Sequence, residues 1–551
     1  MCSCHPSFPR ARWTILGWLA ACALAASAAF GDAYTVYYVT PDGTGGGGDG
    51  PVFASVQAAV DAADEPSDVI KIAEGTYAGV SVRDGTTQTV HIAKTLTAQG
   101  GYQPPDWTTP HPATHPTILD AQGAGRVLVI TGGAGVVIAG IEITGGDATG
   151  AAGAYAGADA GGGVFANNAS LELRDCVVRR NHAPGSGGGV CAELSALTLD
   201  GNIITSNTAG RDGGGLFAYG WWQSPASYPV VLRNNRFDEN HSSAYGGGVA
   251  LSACAASLEQ NTFTSNHAGQ YGGGLNFASC NGLKLEDSQF QDNEATNGGA
   301  VACAHSQAAM IARCEFLGNA AVIHGGGVYS SFCGMTVEDS HFEANSAGDG
   351  GGMSLWWTTA GLRRNRIIAN QALNAGGGVF LRSGGELDNN VIAGNRLTAS
   401  TGPGAGVYIE NAPVTFRHNT VAGNSGGDGV GVDLRDDRGT SLINNIIAGH
   451  AAGIRGVKRI SGQTLIDGVL WFGNTDNTSG TLDMTVTHEK TGDPLFVDAA
   501  GGDYHIGAGS AAEDAGVILQ EIDEDMDGDL RPMGGRPDLG EIGRASCRER
   551  V

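Results

Sequence analysis

Two consecutive segments decide the fold: residues 246–271 read GGGVALSACAASLEQNTFTSNHAGQY, and residues 272–297 read GGGLNFASCNGLKLEDSQFQDNEATN. Each opens with a glycine cluster, continues with short apolar runs and places a phenylalanine three residues before an asparagine. Both landmarks recur at intervals near 26 residues. The clusters end at Gly163, Gly189, Gly215, Gly248, Gly274, Ala300, Gly327, Gly352, Gly378, Gly406 and Gly431. The second series comprises Asn181, Asn207, Asn240, Asn266, Asn293, Asn319, Asn345, Asn370, Asn395, Asn424 and His450. Two series with one period indicate a repeated structural unit.

The pattern predicts an all-β fold in which each unit is one coil of a parallel β-helix. Short apolar runs between glycine and asparagine are typical of strands, whereas helical repeats follow a 3.6-residue period. We expect about eleven regular coils, each with roughly three strands and three corners, rising ~4.8 Å per coil. Glycine and asparagine suit corners because both tolerate a positive φ, and stacked asparagine amides can bond one another. One inward column should contain Phe237, Phe263, Phe290, Phe316 and Phe342.

The chain divides into five parts around this repeat. Residues 1–28 are expected to be an export signal, 29–125 an N-terminal cap with the first coils, and 126–450 the repeats. Residues 451–540 lose the period and are expected to close the stack. Residues 541–551 match the peptide that a common sequencing adapter encodes in one frame, so we expect them to be foreign to the protein.

The N-terminus indicates export to the cell surface or the medium. Two arginines precede an apolar run at residues 14–30, and Ala26-Ser27-Ala28 offers a small-residue cleavage site. A second interpretation is a lipobox at Leu19-Ala20-Ala21-Cys22, which would attach a lipid anchor to Cys22. No later segment approaches the ~20 apolar residues of a membrane span, so no transmembrane domain is predicted in the mature chain.

The charge of the chain excludes one class of partner. The net charge of −25 argues against a nucleic-acid partner, because phosphates require a basic face.

Three cysteines repeat with the coils. Cys254, Cys280 and Cys333 share one position, six residues after a glycine cluster, in different coils. Neighbouring members could form a disulfide or remain stacked free thiols in an apolar core.

The chain resembles the pectin-lyase-like superfamily of right-handed parallel β-helices. The opening Ile-Ala-Glu-Gly-Thr-Tyr77 is similar to the N-terminal coil of that superfamily. The repeats resemble those of polymorphic outer membrane proteins, with Gly298-Gly299-Ala300-Val301 as GGA[ILV] and Phe237–Asn240 as FxxN. Residues 493–540 resemble the end of bacterial β-helix proteins of the choice-of-anchor Q type. The resemblance implies a right-handed helix, and since this architecture hosts adhesins, lyases, hydrolases and epimerases, it implies no single activity.

Two pairs of tryptophans are candidate ligand contacts. One interval of 33 residues contains an insertion with Trp221 and Trp222, and Trp356 and Trp357 lie five coils later. Adjacent side chains of a strand point to opposite faces, so each pair should place one ring outside. Exposed rings could bind sugars over a span of roughly 24 Å. The alternative is that these rings pack over the body of the helix.

One edge of the predicted stack contains histidines, tyrosines and a carboxylate. His241, His267 and Glu294 each follow the repeated asparagine in three successive coils, and Tyr245 and Tyr271 precede two glycine clusters. In register they would lie ~4.8 Å apart, where they could bind a metal or act as acid and base. A solvated turn of polar residues is the alternative.

An acidic loop near the C-terminus is a candidate calcium site. Asp523, Asp525, Asp527 and Asp529 alternate before and after Gly528, a spacing that can wrap oxygen ligands around Ca²⁺. The position that should carry the bidentate glutamate of an EF-hand is Gly534, so the loop is either a looser calcium site or an acidic turn.

The sequence favours a secreted or cell-surface scaffold, a non-enzymatic adhesin or polysaccharide-binding protein, with an extracellular polysaccharide or a neighbouring cell surface as its partner. No GxSxG, HExxH or P-loop motif occurs, and we predict no catalytic residue. The alternatives are a polysaccharide lyase or glycoside hydrolase, whose site would be assembled from several coils, and a purely structural spacer.

Overall fold

The computed structural model shows a long stack of parallel coils and describes residues 34–44, 49–151, 159–436, 438–457, 463–519, 521–532 and 534–540. The expected export signal, its lipobox cysteine and the adapter-like tail lie outside the described residues. One α-helix is present in the described part of the chain, at Val56–Ala62. Short 3-10 helices occur at Pro225–Ser227 and Ala499–Gly501.

The strands form three sheets that run along the stack. Sheet 1 has 31 strands: Val36–Val39, Val52–Phe53, Val69–Ala73, Gly75–Ala78, Leu96–Tyr102, Thr117–Asp120, Gly135–Ala139, Ile141–Thr144, Ser170–Arg174, Val177–Arg179, Ala196–Asp200, Ile203–Thr205, Pro229–Arg233, Arg236–Asp238, Ala255–Glu259, Thr262–Thr264, Lys284–Glu286, Gln289–Gln291, Ala309–Ala312, Glu315–Leu317, Gly334–Glu338, His341–Glu343, Thr359–Arg363, Arg366–Ile368, Gly385–Asp388, Val391–Ala393, Val414–Arg417, Thr420–Ala422, Ser441–Ala448, Gln463–Phe472 and Asp483–Thr491.

Sheet 2 has 16 strands: Ser81–Arg83, Thr86–Ile92, Arg126–Ile130, Val164–Asn167, Val190–Glu193, Leu216–Tyr219, Val249–Ser252, Leu275–Ala278, Val301–Ala304, Val328–Ser331, Met353–Trp356, Val379–Arg382, Val407–Glu410, Val430–Arg435, Ala452–Val457 and Asp476–Gly480. Sheet 3 has nine: His182–Ala183, Thr208–Ala209, His241–Ser242, His267–Ala268, Glu294–Asn297, Ala320–His324, Ser346–Asp349, Gln371–Ala375 and Arg396–Leu397. A hairpin of Phe496–Asp498 and Asp503–Ile506 completes the set.

The regular coil has four strands, one more than predicted. In the coil of residues 246–271, a sheet 2 strand is followed by two sheet 1 strands and a two-residue strand of sheet 3. The chain turns at Ala253, Gln260 and Ser265, all with φ near +54°, and at Gly246 with φ +61°. Three of the four corners are therefore made by residues other than glycine. The short fourth strand escaped prediction because two residues carry no readable alternation.

The glycine clusters instead permit close approach of the backbones of adjacent coils. A Cβ atom at Gly247 would lie 2.5 Å from the carbonyl oxygens of both Gly273 and His267. Such a contact is far shorter than the 3.5–4.0 Å at which carbon atoms pack. The middle glycine is therefore required by space, and its repetition follows from the stacking of one coil on the next.

The predicted asparagine ladder is confirmed. The Asn266 side-chain amide donates to Oδ1 of Asn293 at 3.0 Å and to the carbonyl oxygen of Phe237 at 2.9 Å, and the Asn266 backbone N–H shares the first acceptor. The positive φ falls on the preceding residue, Ser265, and not on the asparagine. A second set of asparagines at the neighbouring corner was not predicted. It forms two ladders, one of Asn202, Asn235 and Asn261 and one of Asn365, Asn390, Asn419 and Asn445. Serine or cysteine occupies the position in the coils between them.

The phenylalanine column also lies where the period predicts. All five rings are fully buried, and consecutive centroids are 4.4–5.2 Å apart with interplanar angles of 2–8°. The seven cysteines in the described part of the chain are buried free thiols, which decides against a disulfide between Cys254 and Cys280. Burial raises the pKa of the Cys280 thiol to about 11, so this sulfur is inert at neutral pH.

The stack is longer than the eleven regular coils, with about 15 turns. Sheet 2 has 15 strands that pair in parallel with a neighbour, because Ser81–Arg83 pairs only in antiparallel. Eleven of the 15 belong to the regular coils, which begin with Val164–Asn167. Two of the others precede these eleven and two follow them. The period is lost after residue 450 because Gln463–Phe472 and Asp483–Thr491 run without a break across both rows of sheet 1.

The two ends of the stack differ. At the N-terminal end the helix Val56–Ala62 is capped by the Ser55 hydroxyl, which accepts from the N–H of Ala58, and buries Val56, Ala59 and Val60. At the other end, residues 493–540 pack along the outer side of sheet 1, where Tyr504, Ile506, Ala512 and Leu539 contact apolar side chains of five successive strands. No helix in the described ranges is both long and apolar enough to cross a membrane.

Candidate functional site

The outer face of sheet 2 carries a continuous line of aromatic rings. In the four-residue strands of sheet 2 the second and fourth residues point outward, because the first and third pack in the core. The residue before each glycine cluster lies beside them. Consecutive ring centroids are 4.9–5.9 Å apart. We call this line the aromatic track; it comprises Tyr245, Tyr271, Tyr329, His324, Trp356 and Trp357.

The track crosses five coils diagonally, from the glycine edge to the opposite corner of sheet 2, and so spans four coil-to-coil steps. At ~4.8 Å per coil, this is roughly 19 Å along the helix axis. Its ends are the most open, with Tyr245 39% and Trp357 53% exposed. In the middle, His324 Nδ1 lies 3.3 Å from Oδ2 of Asp349, and the Arg382 guanidinium lies 4.8 Å from the ring centre of Trp356. Two charged groups therefore lie against the rings at the centre of the track.

A second row of rings meets the track at Trp357. His305, Phe332 and Trp357 occupy the corner position after sheet 2 in three successive coils, with centroids 5.3 and 4.9 Å apart and nearly parallel planes. All three have positive φ, between 46° and 57°, which is costly for bulky residues. The centroid separations exceed the 3.5–4.0 Å contact distance of carbon atoms, so the rings are offset and part of each face stays open.

The glycine-edge end of the track opens into an acidic cleft of about 220 Å³. We call it the sheet 2 cleft; its wall includes Ser186, Glu193, Asp212, Tyr219 and Tyr245. Burial raises the pKa of Asp212, because little of its side chain meets water, and the Arg211 guanidinium 4.0 Å away offsets this rise only in part. Its Oδ1 atom accepts no hydrogen bond from any residue that the structure describes. A carboxyl held in this way is suited to donating a proton.

The structure brings together several residues that the sequence nominated. The ring centroids of Tyr245 and Tyr271 are 5.6 Å apart, with planes inclined by 56°, and these two rings begin the aromatic track. His241, His267 and Glu294 pair in register on sheet 3, around the corner from the track. Trp221 and Trp222 are 49% and 69% exposed in the insertion after Leu216–Tyr219, so both rings of this pair lie outside, and not one as predicted, because neither residue is in a strand. Their roles in binding stay predictions.

The acidic loop lies apart from both features, on the C-terminal segment. Asp525 Oδ1 accepts the N–H groups of Asp527 and Asp529, each at 2.9 Å. The Asp527 carboxylate lies 2.7 Å from Nε2 of His505, and this pairing raises the pKa of His505 to about 9. Across the described residues, no three histidine, cysteine or acidic side chains are arranged to hold a metal ion. Calcium binding here, with Asp523, stays a prediction.

His305, Phe332, Asp212 and Glu193 were not nominated from the sequence. A usable signal exists for the first two: both lie five residues after the end of a glycine cluster, as does Trp357. Aligning the coils at that position would have shown three aromatic residues in succession. The burial of Asp212 depends on neighbouring coils and leaves no comparable trace in the sequence.

One family of known proteins matches most of the coiled part of the chain. The family model of the right-handed β-helix region matches residues 117–290 and 273–447. No curated protein sequence matches the chain. A solved structure with similarity is the A-module of mannuronan C-5 epimerase AlgE4 from Azotobacter vinelandii, 12% identical, covering 82% of this chain and 99% of its own, with a TM-score of 0.33.

Another is pectate lyase Pel9A, 12% identical, with 93% of this chain and 96% of that chain covered and a TM-score of 0.23. The family match extends over more than half of the chain and confirms the predicted right-handed coil. The chain therefore belongs to the right-handed β-helix family.

Proposed function

We propose that this protein binds an extended polysaccharide along the aromatic track. The observation that carries the proposal is the unbroken line of six partly exposed rings, spaced 4.9–5.9 Å apart, on the outer face of sheet 2. Aromatic rings provide apolar area at a low entropic cost and have polar edges for hydrogen bonding, as the faces and hydroxyls of sugars require. A secreted or surface-held scaffold, as the N-terminal sequence predicts, would meet such a polymer outside the cell.

The strained backbone beneath these rings supports a role in binding. A bulky residue with positive φ destabilises the fold by about 1–3 kcal/mol, and such residues concentrate at functional sites. Phe332 and Trp357 bear this cost while their side chains are 48% and 53% exposed, so core packing does not compensate for it. The same corner position is occupied by Ala253 in an earlier coil, which shows that the fold itself does not require a ring there.

Alanine at the two ends of the track tests the proposal. We expect Tyr245→Ala and Trp357→Ala each to weaken polysaccharide binding by about 5–30-fold, since each removes about 1–2 kcal/mol of ring contact. Both positions hold alanine in other coils, at Ala375 and Ala253, so folding should be unaffected. The measurement is titration calorimetry with neutral and uronate oligosaccharides that are first selected on a glycan array.

The matched control is Val322→Ala, which changes a side chain that is 75% exposed on sheet 3 and outside the track. It should bind like the parent protein. Unchanged affinity in both track variants, or no binding by any polysaccharide on the array, would contradict the proposal. The finer resemblances to polymorphic outer membrane protein repeats and to a choice-of-anchor end stay predictions.

A second candidate function is cleavage of the bound polymer, and the sheet 2 cleft favours it. Asp212 lies one coil before Tyr245 at the glycine edge, so a polymer on the track would lead into the cleft. Glu193 lines the same cleft and provides the second carboxylate that acid–base chemistry at a glycosidic bond requires. Tyr219 and Tyr245 would hold the sugar beside the two carboxyl groups.

Asp212→Asn separates this candidate from simple binding. We expect it to lower any release of reducing ends about 100-fold or more while leaving affinity unchanged, because an amide cannot donate a proton as the acid does. Since the pKa of Asp212 is raised, parent activity should persist above the usual aspartate range and fall as pH rises through that pKa. Asp238→Asn, on the outer side of sheet 1, is the control. A parent protein that cleaves none of its ligands would withdraw the second candidate.

A further inference from the structure

Two exposed histidines face each other on sheet 3, away from the aromatic track. The two-residue strands His241–Ser242 and His267–Ala268 pair in parallel, with the histidines directly in register. Their Nδ1 atoms are 2.9 Å apart, and the imidazole centroids are 4.7 Å apart with planes inclined by 13°. The stacking of the coils therefore fixes the backbones of the two histidines. It places two imidazole nitrogens, which have the same ligand chemistry, next to each other.

This separation is the one that a metal ion requires of two adjacent ligands. With metal–nitrogen bonds of about 2.0–2.1 Å, two ligands at a right angle lie about 2.9 Å apart. The nearly parallel rings must rotate about their Cβ–Cγ bonds to point both lone pairs at one ion. Both side chains are exposed, so solvent and not packed protein surrounds the rings during this rotation.

The ligand set favours copper among the divalent ions. Imidazole nitrogens suit copper, nickel and zinc, and Cu²⁺ has the highest affinity of the first-row series and prefers right-angled, tetragonal coordination. The neighbours in register are Thr208 before His241 and Glu294 after His267. Because the described residues contain no metal-ready group of three, water would occupy the other coordination positions.

We propose that His241 and His267 form a two-nitrogen binding site for Cu²⁺ on sheet 3. The site uses no residue of the track or the cleft, so metal binding and polysaccharide binding can be tested independently. Open coordination positions make it able to accept an oxygen ligand from a second molecule.

The test is titration of the full chain, prepared without an affinity tag, with Cu²⁺ alone. We expect one tight site per chain, with nitrogen hyperfine coupling from two imidazoles in the electron paramagnetic resonance spectrum. His241→Gln and His267→Gln should each lower the affinity at least tenfold and leave coupling from one imidazole. Circular dichroism checks that both variants stay folded, as exposed positions should allow.

The matched control is His182→Gln. His182 lies in the same column of sheet 3, but its Nδ1 faces the Thr208 hydroxyl at 2.9 Å and no second imidazole. This variant should bind Cu²⁺ like the parent protein. The proposal is overturned if the parent shows coupling from fewer than two imidazoles, or if His182→Gln weakens binding as much as His241→Gln does.

Discussion

Phe290→Ala is expected to lower the free energy of unfolding by about 3–5 kcal/mol. The Phe290 ring is fully buried and stacks between Phe263 and Phe316, with centroids 4.5 and 5.2 Å away. The asparagine ladders and strand pairing hold the coils at a fixed spacing, so the surrounding core cannot collapse into the cavity. Equilibrium urea unfolding followed by circular dichroism measures the change.

Phe332→Ala is the control for this substitution, because it removes the same side chain from a position that is 48% exposed. Its effect on the free energy of unfolding should stay within about 1 kcal/mol. Equal effects of the two substitutions would show that the phenylalanine column does not carry the stability assigned to it.

Gly273→Ala is expected to destabilise the protein by more than about 3 kcal/mol and to reduce the yield of soluble chain. The added Cβ atom would lie 2.3 Å from the carbonyl oxygen of Gly299 and 2.6 Å from the backbone nitrogen of Glu294. Both are backbone atoms, the first in the next coil and the second in the sheet 3 strand at the end of the same coil, so neither can rotate away. The coils would have to separate, which breaks the pairing that builds the sheets. Thermal and urea unfolding of the purified variant measure the loss.

Gly361→Ala is the matched control for the effect of adding a methyl group. The nearest atom to its added Cβ is the Thr336 hydroxyl oxygen at 3.7 Å, an ordinary contact, and its φ is not positive. This variant should unfold like the parent protein. If Gly273→Ala were equally harmless, the close approach of neighbouring coils could not be the reason for the glycine clusters.

The sequence predicts the inside of this molecule far better than its outside. Phe263 and Asn266 repeat because every coil presents the same inner environment, so the period reveals them directly. Phe332 and Trp357 lie on the outer face, where one coil can differ from the next without disturbing the core. The diagonal path of the track crosses several coils and several strand positions. No single periodic position describes it, and only the three-dimensional stack brings its rings together.

The C-terminal region shows the same limit. The loss of period after residue 450 indicates a change of structure, but nothing in the local pattern indicates where residues 493–540 pack. Their docking depends on contacts with strands that lie more than 100 residues earlier, such as the ion pair of Arg417 with Glu521 at 2.8 Å. Such long-range contacts leave no signal in the spacing of glycines or asparagines.

This lateral segment changes how the stack can come apart under tension. A solenoid whose coils contact only their neighbours can unravel one turn at a time from a free end. Here the segment is bonded to successive coils at Asn389, Arg417 and Asn444, and the Arg366 side chain donates to the carbonyl oxygen of Gly502. A pull on the C-terminus therefore loads these attachments together before any coil is freed. The last coils should therefore rupture together, as one mechanical unit, and not one coil at a time.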